Sequence, residues 1–289
     1  MVLGAGGLLG SSLLSELTRR SEGVRGATGQ VWNSPDAVAA KVTSHLENCP
    51  DGTVWWAAGC GFVGATDEQM RLETSVLGSV AKAVAASDGR LVFASSAGGL
   101  FAGVAGRVVD RTTPNPVSVY GRAKLAQEGL LSDLLPGRHV ACRISNIYGS
   151  AQQTGKPQGL ITAAVRAACT GRPMNLFVPM SNLRDFVLVD DLADAMVNGV
   201  SDGSATDTHL FTSAVSVPLS VVFALIHKVS GRRVPCTMRP NPSAAEQPRA
   251  LVFGDSLRRF MSRHPTPLDI GIARLVSATR REILLGRLR

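Results

Sequence analysis

Through its first 150 residues the chain alternates short strand-length runs with longer segments of helical periodicity, and that alternation admits few folds. The runs at 1–3, 23–26, 30–32, 53–58, 90–94 and 139–144 read as strands of a sheet buried on both faces. Between them, 8–20, 35–46, 68–86 and 118–134 have the length and spacing of helices. This repetition predicts an α/β fold built on a doubly wound parallel sheet. The run at 1–3 is short for an opening strand, as though the chain entered a longer strand part-way.

After residue 150 the rhythm changes. A polar stretch over 150–158 precedes a helix at 160–170, and a strand–helix pair at 186–189 and 191–199 is expected to return to the first domain. A helix at 219–229, a strand at 233–238 and a Pro-rich loop over 240–248 follow. The predicted organisation is an N-terminal domain over 1–149, rejoined by 184–212, and a smaller C-terminal α/β region over most of 150–289. The basic stretch at 268–289 carries Ile272, Leu275, Val276, Thr279 and Ile283 at helical spacing and is expected to pack against the body rather than a membrane.

The net charge of +8 is confined to the last 61 residues, where twelve Arg face four acids; the first 228 residues sum to zero. That basic segment offers only Phe253 and Phe260 as stacking aromatics, so a nucleic-acid partner is not expected and an anionic small ligand is. Apolar stretches break well before eighteen residues, which excludes membrane insertion by a spanning helix. The five cysteines have no CxxC pair, as expected of mostly buried free thiols in a reducing cytoplasm, and no metal site is indicated.

Three motifs carry chemistry. Gly4-Ala-Gly-Gly7-Leu8-Leu9-Gly10 stands where the first strand meets the first helix, and its glycines let backbone N–H groups approach a pyrophosphate at a helix N-terminus. Tyr120-Gly-Arg-Ala-Lys124 is sharper. With two Tyr and five Lys in the chain, that spacing arises by chance about 0.03 times. Four residues apart on a helix, the side chains share a face, and a nearby ammonium favours tyrosinate, which suits Tyr120 to general acid/base work. Ser95-Ser96-Ala97-Gly98-Gly99 puts hydroxyls at the C-terminal end of a strand, where open α/β sheets bind ligands.

In order, GAGGLLG, SSAGG, YGRAK, RISNIYG (143–149) and RDFVLVDDLADA (184–195) resemble the extended short-chain dehydrogenase/reductases, and within them the NAD-dependent epimerase/dehydratases that act on nucleotide sugars. The resemblance runs from residue 2 to about 196 and more weakly to about 280. It implies a Rossmann dinucleotide-binding domain over 1–149, a C-terminal substrate-binding region and a homodimer formed through the helices at 68–86 and 118–134. It assigns catalysis to Ser96, Tyr120 and Lys124, preferring Ser96 to Ser95 because a small residue follows it directly. Gly4, Gly7, Leu8, Leu9, Gly10, Ala57, Ala58 and Gly59 would line the cofactor, with Tyr120 and Lys124 at its nicotinamide ribose. Asn146 and Arg184 would hold the substrate phosphates, beside Ser96 at the sugar, while Asp190 and Asp191 would cap the next helix.

The sequence also departs from that pattern. No acid lies between Val24 and Ser34 to bind an adenosine ribose; Arg25 occupies that neighbourhood, with Thr28 close by, so NADP stands beside NAD as cofactor. Ser75 replaces the family's Asn, and no Asp-Glu pair follows Ser96, which disfavours a dehydratase. Cys60 has no assignable role. The reading is a cytoplasmic NAD(P)-dependent enzyme acting on a hydroxyl or keto group of a nucleotide sugar, foremost an epimerase. An NADPH-dependent keto-sugar reductase is the alternative, and a non-catalytic dinucleotide-binding protein the second.

Overall fold

The structure, a computed structural model, describes residues 1–20, 23–27, 34–59, 64–150, 159–239 and 248–288. The strand expected at 30–32, Thr28, Cys60 and most of the two polar loops lie outside the described residues. The first strand β1 (Val2–Leu3) leads into α1 (Leu8–Arg20), β2 (Gly26–Ala27), α2 (Pro35–Asn48), β3 (Thr53–Trp56), α3 (Asp67–Ala85), β4 (Arg90–Ser96) and a single turn, α4 (Ala97–Leu100). Next come β5 (Arg107–Val108), α5 (Val119–Leu134), β6 (His139–Ile144) and β7 (Asn146–Tyr148). The remainder comprises α6 (Leu160–Thr170), β8 (Met174–Leu176), β9 (Leu183–Leu188), α7 (Val189–Ser201), β10 (Asp207–Phe211), β11 (Ser216–Pro218), α8 (Leu219–Ser230), β12 (Cys236–Met238), β13 (Val252–Phe253), a 3₁₀ turn at Leu257–Phe260, and α9 (Leu268–Leu284).

Six parallel strands form the central sheet in the order β10-β6-β4-β3-β1-β2. Side chains alternate between its faces. Val2, Trp55, Val92 and Val140 pack with α1 and α7 on one side; Leu3, Val54, Trp56, Leu91 and Phe93 pack with α2, α3 and Leu131 of α5 on the other. The strand of the pair expected to return to the first domain lies outside this sheet. Its residues extend from Leu183 to Leu188 and pair with β7 and β11 in a separate three-stranded sheet, while α7 packs on α1 and β10 becomes the edge of the large sheet. The run expected at 23–26 is paired only at Gly26–Ala27.

A third apolar cluster joins the small sheet to α6, α8 and α9, and there Ile272, Leu275 and Val276 are buried, so the basic C-terminal helix packs on the body. The fourth cluster is non-local: Ala97, Leu100, Phe101 and Val108 pack with Leu251 and Phe253, and β13 pairs in parallel with β5. The cysteines depart from expectation. All four described ones are free, but only Cys142 is buried; Cys49 is exposed, and Cys169 and Cys236 are intermediate.

Candidate active site

The glycine motif makes a turn that no larger residues could make. Gly4 has φ of +83°, and a Cβ there would lie 2.6 Å from the Ala57 carbonyl oxygen. A Cβ on Gly10 would come within 2.1 Å of the Gly4 oxygen, so α1 starts in backbone contact with the turn that precedes it. Gly7 N–H donates to the Gly4 oxygen at 2.9 Å, and Leu8 and Leu9 bury their side chains, leaving backbone rather than side chain at the helix N-terminus. Ala57 and Ala58 follow β3 alongside this turn, and Ala57 N–H bonds Leu3 O at 3.0 Å. The cradle fits a dinucleotide pyrophosphate, which needs close backbone and the positive end of a helix.

Arg25 is placed elsewhere. It is exposed and precedes β2, where its carbonyl accepts from Val2 N–H; its charge, with burial the larger cause, helps push His45 below the ordinary histidine range. The glycine turn lies at the opposite, C-terminal end of the parallel pair, beside Ala27. The expectation that Arg25 binds the cofactor is therefore corrected by strand direction.

The two serines at the end of β4 have different surroundings. Ser95 is buried and donates to Glu128 Oε1 at 2.6 Å; Arg143 closes the same carboxylate with its Nη2 2.8 Å from Oε2. Ser96 is partly exposed and caps α4, its Oγ accepting from Gly99 N–H at 3.1 Å. A hydroxyl that accepts at a cap keeps its own proton to donate.

The Ser96 turn meets the start of α5 backbone to backbone. A Cβ on Gly121 would lie 2.2 Å from the Gly99 oxygen, and one on Gly99 would lie 3.1 Å from Tyr120 Cδ1 and Cε1. The Tyr120 ring thus rests on the turn that carries Ser96. Ser118 caps α5 through Gly121 N–H at 3.0 Å. One turn on, Lys124 is 4% exposed, with its Nζ 5.8 Å from the Tyr120 ring centroid and 4.7 Å from that of Phe93. Its ammonium donates to Glu73 Oε1 of α3 at 2.8 Å. Sequence reasoning missed Glu73, although the signal was present. It stands in the buried stripe of α3 between Met70 and Val76, where a carboxylate is out of place unless it has a partner.

The phosphate-binding candidates sit on the small sheet. Asn146 opposes Phe186 in register, and Arg184 is two residues before Phe186, so both candidates leave the same face. Asn146 is exposed and its Nδ2 donates to Asp185 O at 2.9 Å; Arg184 Nη1 donates to Leu183 O and Pro248 O at 2.8 and 2.9 Å. Burial pushes the Arg184 guanidinium below its ordinary value. The neighbouring Asp185 is buried and accepts from Ser145 Oγ, Ser213 N and Oγ, and Val215 N. Burial still holds its carboxyl above the usual range. That carboxyl ties the small sheet to the ends of β6 and β10.

Asp190 and Asp191 do not cap α7, whose N-cap is Leu188. They lie in its first turn, favourable to the helix dipole. Asp190 accepts from Ser12 Oγ at 3.1 Å, and Asp191 holds Thr266 and Arg263. Ser75 is exposed. Among the described residues no group of three His, Cys, Asp or Glu side chains could hold a metal, and no helix is long and apolar enough to cross a membrane.

Known proteins share sequence similarity and the fold. A dTDP-L-rhamnose 4-epimerase of Burkholderia thailandensis is 39% identical over 92 residues, 30% of this chain and 25% of that protein. A dTDP-6-deoxy-L-talose 4-dehydrogenase (NAD(P)+) of Kitasatospora kifunensis is 33% identical over 215 residues, 70% of this chain and 66% of that one. The chain therefore spans about a quarter of the first relative and about two thirds of the second. The structure of MoeE5 in complex with UDP-glucose and NAD superposes with a TM-score of 0.83 at 24% identity, covering 98% of both chains. Residues 1–208 match the model of the NAD dependent epimerase/dehydratase family. The chain belongs to that family.

Proposed function

We propose that the protein is an NAD(P)-dependent enzyme that exchanges hydroxyl and keto groups on a nucleotide sugar, foremost as an epimerase. The observation that carries this reading is the packing of Tyr120 and the Ser96 turn through Gly99 and Gly121, with Lys124 buried on the same helix face. In this reading Tyr120 exchanges a proton with the reacting substrate oxygen and Ser96 donates a hydrogen bond to that oxygen. Lys124 holds the nicotinamide ribose. The cofactor's backbone cradle is Gly4, Gly7, Leu8, Leu9 and Gly10, with Ala57, Ala58 and Gly59 along its path. When bound, the nicotinamide supplies a reversible hydride acceptor. Asn146 and Arg184 hold the substrate diphosphate, the latter through its planar, paired donors.

Relatives and fold neighbours support the substrate class: two act, by name, on dTDP sugars, and one binds UDP-glucose with NAD. A second reading, keto-sugar reduction with NADPH, is favoured by the lack of any acid between Val24 and Ser34. Residues 1–149 with 184–212 would form the cofactor half and most of 150–289 the substrate half. Pairing of α3 and α5 with a second copy would give a homodimer, and in this reading the enzyme works in the cytoplasm.

Nucleotides released by denaturing the purified protein, identified by mass spectrometry, test the reading. Retained NAD or NADH supports an epimerase that recycles its cofactor, and NADP supports the reductase. A protein that releases none and binds neither NADH nor NADPH refutes both. Tyr120→Phe is expected to lower turnover by about 10²–10⁴-fold without loss of fold. Unchanged turnover would remove Tyr120 from the chemistry.

A further inference from the structure

We propose that Glu73 is a positioning residue that sets where Lys124 presents its remaining N–H donors, and so fixes the nicotinamide half of the dinucleotide site. The inference rests on the reading of Tyr120 and Lys124 given above. Both members of the pair are buried, Lys124 at 4% and Glu73 at 5% exposure, and their contact is 2.8 Å. A buried ammonium without a counter-charge is costly, so the carboxylate decides which rotamer the lysine keeps.

Besides Lys124, two residues confine Glu73. Gln127 of α5, one turn beyond Lys124, directs Nε2 to Glu73 Oε1 at 3.4 Å and to Thr74 Oγ1 at 3.0 Å. Gly59, in the segment after β3, lies beside the other oxygen, with no room between them for a side chain: a Cβ there would lie 2.9 Å from Glu73 Oε2. Lys124 is confined in turn by Phe93, whose ring centroid lies 4.7 Å from Nζ. A single carboxylate thus connects the loop expected to run along the cofactor with the lysine expected to hold its ribose. A lysine has three donors, and with one spent on Glu73 the other two are left with directions set by that bond.

The test compares NADH with AMP as probes, after removal of any retained nucleotide. AMP engages only the glycine-turn end of the site and does not reach Lys124. Glu73→Gln keeps the volume and removes the charge. It is expected to weaken NADH binding by about tenfold or more while leaving AMP affinity within about twofold. In a Lys124→Met background the same change should cost nothing further, because its effect passes through the lysine. A merely structural role would weaken AMP and NADH alike and would persist in that background. Unchanged NADH affinity in Glu73→Gln, with wild-type protein binding NADH normally, overturns the proposal alone; wild-type protein that binds neither NADH nor NADPH overturns the reading beneath it. Should Glu73→Gln fail to fold, Glu73→Asp takes its place, since it keeps the charge and withdraws it by one methylene. A loss confined to NADH supports the proposal, and no loss refutes it.

Discussion

The contact between α4 and α5 makes an unusual prediction, because helix propensity and packing pull in opposite directions. Gly121 lies in the first turns of α5, and replacing a helical glycine by alanine ordinarily gains about 0.5–1 kcal/mol. At Gly121, however, the new Cβ would lie 2.2 Å from the Gly99 oxygen, 2.8 Å from the Gly99 carbonyl carbon and 2.9 Å from Pro116 Cβ. Two of these are backbone atoms and cannot rotate aside. Restoring ordinary contact requires the two helices to part by about 1 Å, and such overpacking costs about 1–3 kcal/mol. Crediting propensity leaves a net destabilisation of roughly 0–2.5 kcal/mol, centred near 1. Gly129 supplies the control. It lies in the same helix, and a Cβ there would meet nothing within 4 Å, so Gly129→Ala should stabilise by about 0.5–1 kcal/mol. Urea unfolding of both variants, with unchanged m-values, measures the difference. Parting the helices also shifts Tyr120 relative to Ser96, and about 1 Å of misplacement costs on the order of 10²-fold in turnover. A Gly121→Ala protein as stable as Gly129→Ala would refute the close approach.

Other outcomes follow from buried charge. Arg143→Met leaves the Glu128 carboxylate, 4% exposed, without its cation, and should cost about 3–5 kcal/mol by thermal or urea unfolding. At Asp110, burial pushes the carboxyl up, but bonds from His209, Leu210 N–H and Arg259 outweigh it and hold the group below its ordinary value. A carboxylate depressed in the folded state contributes stability above its unfolded pKa, about 3.9, and loses it as pH falls through the folded value. Asp110→Asn should therefore be less stable than wild type at pH 6, and the gap should narrow below about pH 4 in acid-unfolding curves.

Local signals were legible where the physics is local. The helices at 8–20 and 160–170 fall where periodicity puts them, and the four-residue spacing of Tyr120 and Lys124 does place both on one packed face. Strands of two to five residues were harder. The pairs β13 with β5 and β10 with β6 are set by partners about 70 to 145 residues away, and no local pattern records them. Arg25 was misplaced because composition near a strand does not say which end of the strand it occupies. Glu73 escaped notice because a stripe counted only by its apolar members passes over the one charged residue on it.

The apolar floor beneath the Ser96 turn bears on how the protein is made. Phe101 and Val108 are covered by Leu251 and Phe253, which a ribosome adds roughly ten seconds later at ordinary elongation rates. In that interval the nascent turn has no floor, and a greasy aromatic is open to chaperones or to neighbouring chains. A fragment ending at residue 208 would remain in that state indefinitely, and it would also interrupt the edge strand at 207–211. The serine turn is thus synthesised early and seated late.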